Sequence, residues 1–335
     1  MNEVKKLSEV TMEELQKRFE FYKKQLPSGF TNLDKTAPIL PGVGVIGALP
    51  ATGKTTFMLN VAANICKSGT PVLYVSYEQE YEEMLATLIA NYWFKDQCEG
   101  IDRETQKSFD KVNANALENS PSAQEILMQF ETCEDNRKRE DMKDLFKYYF
   151  GEWQRNHPNF YFLRGVTESA TKLTETIEKY VEKCGVKFVV VDYLQMIPAE
   201  PKDFKKSIRE ITDTAVKMLN NLAKDKGISI FAVSALNRDN YTKEGNLTAF
   251  KESGGIEYTA RTAFILQEKL DAGTNRNAEA LSQAKKKTPR NVQLVCVKGR
   301  YNPETTIEFE YYSKYATFFE IEGEEETPKK ERVTL

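Results

Sequence analysis

The sequence predicts an α/β protein built on a mainly parallel sheet, and three observations carry that reading. From residue 43 onward, short apolar runs alternate with amphipathic segments of helical period, the pattern of strands joined by helices. Several runs, such as 188–191, are apolar at every position, as expected when both faces of a sheet are covered. The 335 residues, 40% hydrophobic and 29% charged, suit a globular protein with one large α/β domain or two smaller ones.

The elements follow in order. Thr11 and Glu14 have capping-box spacing. Met12, Leu15, Phe19, Tyr22 and Leu26 then recur at helical intervals, which predicts an amphipathic helix over 12–26, ended by Pro27-Ser28-Gly29. Its apolar stripe must bury either against this chain's own core or against a neighbouring subunit. Strands are predicted at 43–48, 72–76, 160–163, 187–192, 228–234, 262–267 and 292–297, and helices at 54–67, 79–93, 170–184 and 203–226. Segments 292–298 and 305–311 flank a turn-like 299–303 and read as a β-hairpin, followed by a short strand near 316–321. The stretch 95–158 interrupts the alternation with polar, helix-prone sequence and is expected as a helical insertion on the edge of the sheet. Residues 322–335 are expected as a charged, disordered tail. The domain division is therefore an N-terminal helix in 1–27, a core in 28–321 that carries the insertion, and the tail.

Composition removes several classes of function. His157 is the single histidine, so multi-histidine metal sites are excluded, and a histidine-based triad would have to use that residue. Cys66, Cys98, Cys133, Cys184 and Cys296 are scattered, with no C-x-x-C pair; this fits reduced thiols better than zinc ligands or a disulfide framework. No apolar run approaches the roughly 18 residues of a membrane span, and the N-terminus lacks the apolar region of a signal peptide. No membrane association and a cytoplasmic location are expected. Lys plus Arg is 47 and Asp plus Glu is 50, giving 47 − 50 = −3. Any nucleic-acid contact must then come from local basic patches.

Residues 48–56 carry the strongest chemical signal: Ala48, Leu49, Pro50, Ala51, Thr52, Gly53, Lys54, Thr55 and Thr56. They match the phosphate-loop pattern G-x-x-x-x-G-K-[ST], with Ala48 in the first position, between a predicted strand and a predicted helix. Backbone amides and the helix N-terminus would cradle phosphate oxygens. Lys54 would reach the β- and γ-phosphates, and Thr55 would offer its hydroxyl to Mg²⁺. The apolar run 188–191 leads into Asp192, a candidate second Mg²⁺ ligand. Glu78, directly after strand 72–76, is a candidate base for an attacking water, placed beside the phosphate-loop strand at the carboxyl edge. Glu80, Glu82 and Glu83 lie near it, so position alone does not single out Glu78.

Together these residues resemble the RecA-type ATPase domain of the DnaB-type replicative DNA helicases, from about Ser28 to Glu320. Ser28-Gly29-Phe30-Thr31-Asn32-Leu33-Asp34 is similar to the family's entry signature, and a phosphate loop with Ala first and Pro inside is similar to its variant. Ser76-Tyr77-Glu78-Gln79 resembles its Ser-Leu-Glu-Met element, whose Glu is the catalytic base. Asp192-Tyr193-Leu194-Gln195-Met196 is similar to its Asp-Tyr-Leu-Gln element, and Ser234-Ala235-Leu236-Asn237-Arg238 to its Ser-Gln-Leu-x-Arg sensor. Lys251-Glu252-Ser253-Gly254-Gly255-Ile256-Glu257 and Lys298-Gly299-Arg300 resemble two later elements. The resemblance implies a RecA-like P-loop NTPase core with an N-terminal linker-type helix. It implies an ATP- and Mg²⁺-dependent DNA helicase that translocates on single-stranded DNA as a homo-oligomeric ring, usually a hexamer. Lys298 and Arg300 would act in trans on a neighbour's nucleotide, and Arg238, Lys251, Glu252 and Gly254 would contact the DNA backbone. Replication or mobile-element proteins are the further partners implied. Lys202, Lys205 and Lys206 read either as a second DNA-facing loop or as an ordinary solvated helix start. The run 285–287 with Arg290 reads as solvated.

The sequence also departs from the family. Only about 27 residues precede the core, so the family's N-terminal helical domain is expected to be absent. Ala235 stands where the family has a γ-phosphate-sensing Gln, and Arg261 stands where it has an acidic residue. The separation of Glu78 and Asp192, 192 − 78 = 114, is long because of the insertion. These departures leave a second expectation, an ATP-switched DNA-binding or assembly ATPase that does not unwind.

Overall fold

The computed structural model describes residues 6–22, 24–99, 112, 114–201, 203, 205–236, 247–250, 254–299 and 305–321. Among these, nine strands form one sheet: β1 (Gly42–Ala48), β2 (Val72–Ser76), β3 (Phe160–Arg164), β4 (Phe188–Asp192), β5 (Ser229–Ala235), β6 (Thr262–Glu268), β7 (Arg290–Gly299), β8 (Thr305–Tyr312) and β9 (Thr317–Glu320). Their spatial order is β3-β2-β4-β5-β1-β6-β7-β8-β9. The pairs from β3 to β6 are parallel, and those from β6 to β9 are antiparallel. The segments predicted as strands from apolar runs and as a late hairpin are all strands here.

The continuous apolar runs divide by alternation into two cores. Ile46, Tyr74, Val190, Val233 and Leu266 face one side, and Val45, Val75, Val191, Ala232 and Ile265 face the other. A period of two puts successive side chains on opposite faces, so a run can be apolar throughout only if both faces are covered. The first face is covered by α3 (Lys54–Lys67) and α4 (Tyr81–Glu99), the second by α8 (Ala170–Cys184) and α9 (Ile208–Lys226). Helices 54–67 and 170–184 have the bounds expected from their periodicity. Helix α9 starts later than expected because Ser207 and Glu210 form a complete capping box there.

The N-terminal helix, α1 (Met12–Tyr22), begins at the expected capping box: Glu14 N donates to Thr11 Oγ1 at 3.2 Å and Thr11 N to Glu14 Oε2 at 3.1 Å. It ends before Leu26, which instead pairs with Ile39 in an isolated bridge. The short helix α2 (Thr31–Thr36) lies between these two residues in the chain. Met12, Leu15 and Phe19 are exposed, so this stripe is not covered by the chain's own core.

The segment expected as an edge insertion contains α5 (Ala114–Asn119), α6 (Ala123–Leu127) and α7 (Asn136–Asn156). These helices pack mainly on α4, and Trp153 of α7 also meets Phe160 of the edge strand β3 at 5.8 Å. Ile126, Phe130, Tyr149 and Trp153 join the core on that face, and Tyr149 stacks on Trp93 at 4.5 Å. The last two helices are α10 (Gly254–Thr259) and α11 (Ala278–Ala284). Among the described residues no helix is long and apolar enough to cross a membrane.

Candidate nucleotide site

The phosphate loop leaves β1 at Ala48 and enters α3 at Lys54. Ala51 and Gly53 both have left-handed backbone, with φ of 60° and 95°. At Gly53 a side chain is excluded twice over, since a Cβ there would also lie 2.8 Å from the Tyr311 ring. Thr52 is buried, Lys54 is half-buried, and the Lys54 Nζ sits 5.9 Å from the centre of the Tyr193 ring.

Asp192 closes the site from β4 and is 3% exposed. Tyr74 Oη donates to its Oδ2 at 2.9 Å, while Oδ1 has no hydrogen-bond partner. Burial pushes the Asp192 carboxyl up; hydrogen bonds from Thr55 and Tyr74 and the charge of Lys54 oppose that shift, and the charge of Glu78 adds to it. The loop hydroxyl, the loop lysine and Glu78 therefore lie near enough to Asp192 to act on its carboxyl. Among the described residues no group of three His, Cys, Asp or Glu could hold a metal alone. Mg²⁺ does not need such a group, since it is held by one or two protein oxygens with waters and phosphates. A buried carboxylate oxygen without a partner beside a hydroxyl fits such an ion.

Glu78 is exposed, two residues past β2. Its strand is not beside the phosphate-loop strand, as the sequence suggested: β4 and β5 lie between β2 and β1. Strand order in a parallel sheet is set by crossover connections, which local sequence does not reveal. Glu78 nevertheless lies on the Asp192 side of the site, because Ser76 is in register with Asp192 and Tyr77 N donates to Asp192 O at 2.7 Å.

Ala235, the residue in the sensor position, is in register with Ala48, where the phosphate loop leaves β1. Gln195 ties this strand end to β4: its Nε2 donates to Ser234 Oγ at 2.8 Å and its Oε1 accepts from Ala235 N at 3.2 Å. Lys298 is half-buried and pairs in register with Ala263 near the start of β6, away from this chain's own phosphate loop. Gly254 opens α10. Arg238, Lys251, Glu252, Arg300 and Lys202 lie outside the described residues. Lys205 is exposed, and Lys206 pairs with Asp203 at 2.8 Å just before the cap of α9.

The lysine run and Arg290 are not simply solvated. Arg290 is 5% exposed, forms a close ion pair with Glu268, and donates from Nη2 to Ala51 O at 3.1 Å. Its guanidinium lies 5.2 Å from the centre of the Tyr311 ring. Lys285 is half-buried and donates to Pro50 O at 2.7 Å, whereas Lys286 and Lys287 are exposed. These contacts span more than 230 positions of sequence, which a charge pattern alone cannot report.

A phosphate loop at the carboxyl edge of a parallel sheet covered on both faces, with an acidic strand end beside it, defines a RecA-like P-loop protein. The chain matches the DnaB-like helicase C terminal domain family over residues 25–320 and belongs to it. It is 24% identical over 302 residues to a probable replicative DNA helicase of Trieres chinensis, covering 88% of this chain and 57% of that protein. It is 25% identical over 297 residues to the replicative DNA helicase DnaB of Haemophilus influenzae, covering 87% and 54%. The chain thus spans about half the length of the curated relatives it matches. Among solved structures, an isolated ATPase domain aligns with a TM-score of 0.67 at 19% identity, covering 92% of this chain and 96% of that one. A DnaB-like replicative helicase, in a study of its interactions with primase, aligns at 0.66 and 20%, covering 93% and 68%.

Proposed function

We propose that this chain is an ATP-hydrolysing motor that translocates on single-stranded DNA as a homo-oligomeric ring and unwinds duplex ahead of it. The grouping of Lys54, Thr55 and Glu78 around Asp192, within the DnaB-like fold, carries this reading. The amides of 49–53 and the start of α3 hold the phosphates, and Lys54 neutralises charge at the β- and γ-positions. Thr55 and Asp192 would hold Mg²⁺, which would supply charge neutralisation on the phosphoryl oxygens. Glu78 takes the proton from the attacking water as the water oxygen bonds to the γ-phosphorus, and ADP leaves with the electrons of the broken P–O bond.

Two features support assembly into a ring. Lys298 lies on the late hairpin away from its own phosphate loop, as a residue serving the next copy's nucleotide would. The exposed stripe of α1 also needs a partner, and a groove of about 500 Å³ between α4, α6 and α7, lined by Leu85, Ile89, Ile126, Phe130 and Phe146, offers an apolar seat on a second copy. Lys202, Lys205, Arg238, Lys251 and Glu252 follow β4 and β5 in the sequence, and these are neighbouring parallel strands, which supports contact of these residues with the DNA backbone.

ATPase measurements with and without single-stranded DNA, alongside particle size with and without ATP, test this reading. Stimulation by DNA and a nucleotide-dependent ring are expected, and Lys54→Ala should abolish hydrolysis and unwinding. A second reading rests on Ala235: beside the first residue of the loop it carries a methyl group, without the amide of the family's γ-phosphate-sensing Gln. Nucleotide-dependent DNA binding without unwinding of a forked duplex would select an ATP-switched assembly protein instead.

A further inference from the structure

We propose that Lys285 and Arg290 are positioning residues that clamp the outer side of the phosphate loop and so hold its amides in the phosphate-binding orientation. This deepens the nucleotide-site reading above and rests on it. Lys285 Nζ donates to the carbonyl of Pro50 and Arg290 Nη2 to the carbonyl of Ala51. In a planar trans peptide the C=O and the following N–H point in opposite directions. Anchoring these two successive carbonyls outward therefore turns the N–H groups of Ala51 and Thr52 the other way, toward the loop's interior. The Thr52 N–H makes only a long contact there, 3.3 Å to Leu49 O.

The loop needs such an anchor. Ala51 is a non-glycine residue in left-handed backbone, a conformation that costs about 1–2 kcal/mol and persists only when its surroundings impose it. Successive amides around left-handed residues form an anion-binding concavity. The clamp is itself fixed from behind. Arg290 is held by Glu268 and lies over Tyr311, and Tyr311 occupies the space a Gly53 side chain would need. The Tyr311 hydroxyl also hydrogen-bonds with Thr56, at the start of α3. Lys285 at the end of α11, Arg290 of β7 and Tyr311 of β8 thus meet the loop at Pro50, Ala51 and Gly53 from one side, and the nucleotide would meet it from the other.

The test uses the full chain and a fluorescent ATP analogue with Mg²⁺. Lys285→Met keeps the length of the side chain, removes the donor and leaves no buried charge unpaired. Arg290→Lys keeps the countercharge for Glu268 but lacks the planar fork needed to reach Glu268 and Ala51 together. Each is expected to weaken nucleotide binding about 5- to 10-fold, the worth of one such hydrogen bond, and to raise the KM for ATP more than it lowers kcat. The thermal midpoint of the nucleotide-free Lys285→Met protein should match the wild type, and Lys285→Arg should restore binding. Wild-type affinity in both Lys285→Met and Arg290→Lys, or an affinity loss in Lys285→Met only in step with a lowered midpoint, would overturn the clamp. Lys54→Ala separates the two levels of the argument: if it binds nucleotide as the wild type does, the phosphate-loop reading falls and the clamp falls with it. If only Lys54→Ala loses binding, the loop reading stands and the clamp alone is wrong.

Discussion

Asp192 and Glu268 are both buried carboxylates at the carboxyl edge of the sheet, 3% and 2% exposed, yet their surroundings are opposite. Each keeps one oxygen without a hydrogen-bond partner. Asp192, in the parallel half, meets hydroxyl groups, and burial pushes its carboxyl up. Glu268, where the antiparallel half begins, has Arg290 in a close ion pair and Lys285 nearby. A buried carboxylate that already has its cation belongs to the scaffold, because removing either partner strands a charge in a poorly solvated place. One that lacks a direct ion pair is prepared to receive a cation. On the function proposed above, the difference separates the half of the site that would meet ligand from the half that supports it.

The largest effects should come from exchanging the two roles. Glu268→Ala leaves Arg290 buried without its partner and is expected to lower unfolding stability by about 3–5 kcal/mol, read as a lower urea midpoint. Asp192→Asn removes a charge that burial disfavours, so its stability should match or exceed the wild type's, while Mg²⁺-dependent hydrolysis falls by roughly 100-fold or more. If Asp192→Asn were the more destabilising of the two, the contrast between the carboxylates would be wrong.

A finer cut comes from Tyr74→Phe. It deletes one hydrogen bond to a buried carboxylate and should cost about 1–3 kcal/mol. The Mg²⁺ concentration needed for half-maximal activity should also rise, because Oδ2 is then free to turn. Unchanged Mg²⁺ dependence would mean that Tyr74 only fills space.

The same rule, that a buried charge needs a countercharge, reaches His157 with the smallest effect. It is buried, stacks on Trp153 at 4.8 Å, and has Lys67 and Lys95 as its charged neighbours. Burial first, and then the two lysines, hold its pKa below 6.5, while its hydrogen bond with the Trp153 carbonyl works the other way. Above about pH 6.5 the imidazole is neutral in both states and the native fold is fully favoured. Below that value the unfolded chain takes up the proton and the folded one resists, so stability falls by at most about 1.4 kcal/mol per pH unit until the lowered folded pKa is reached. Urea midpoints measured across this window should show the slope, and His157→Phe should flatten it.

Much of the fold was legible because strands and helices are local. Runs such as 188–191 could sit only in a doubly covered sheet, and the Thr11–Glu14 box announces α1 by itself. The order of strands was not legible. Placing Glu78 beside the phosphate-loop strand failed because two strands separated in sequence intervene. The inner side of the site was readable because phosphate chemistry requires particular residues at particular spacings, as in Gly53-Lys54-Thr55. Its outer side was not, because Lys285 and Arg290 resemble any solvated basic run until the fold brings the carbonyls of Pro50 and Ala51 within reach.

Strand β7 has a mechanical meaning beyond its place in the sheet. Its ten residues extend about 33 Å, with Arg290 gripping the phosphate loop at one end and Lys298 near the other. Its pairing with β8 runs from Arg290 to Cys296 and is joined by β6 from Val292, and its register with β6 shifts between Cys296 and Lys298. Such a doubly paired segment slips only by whole-residue steps that would turn every side chain to the wrong face, so Arg290 is fixed in place along the strand. Whatever holds the Ala51 carbonyl is thereby held in turn by both neighbours of β7, so the grip on the loop draws on the sheet and not on one side chain.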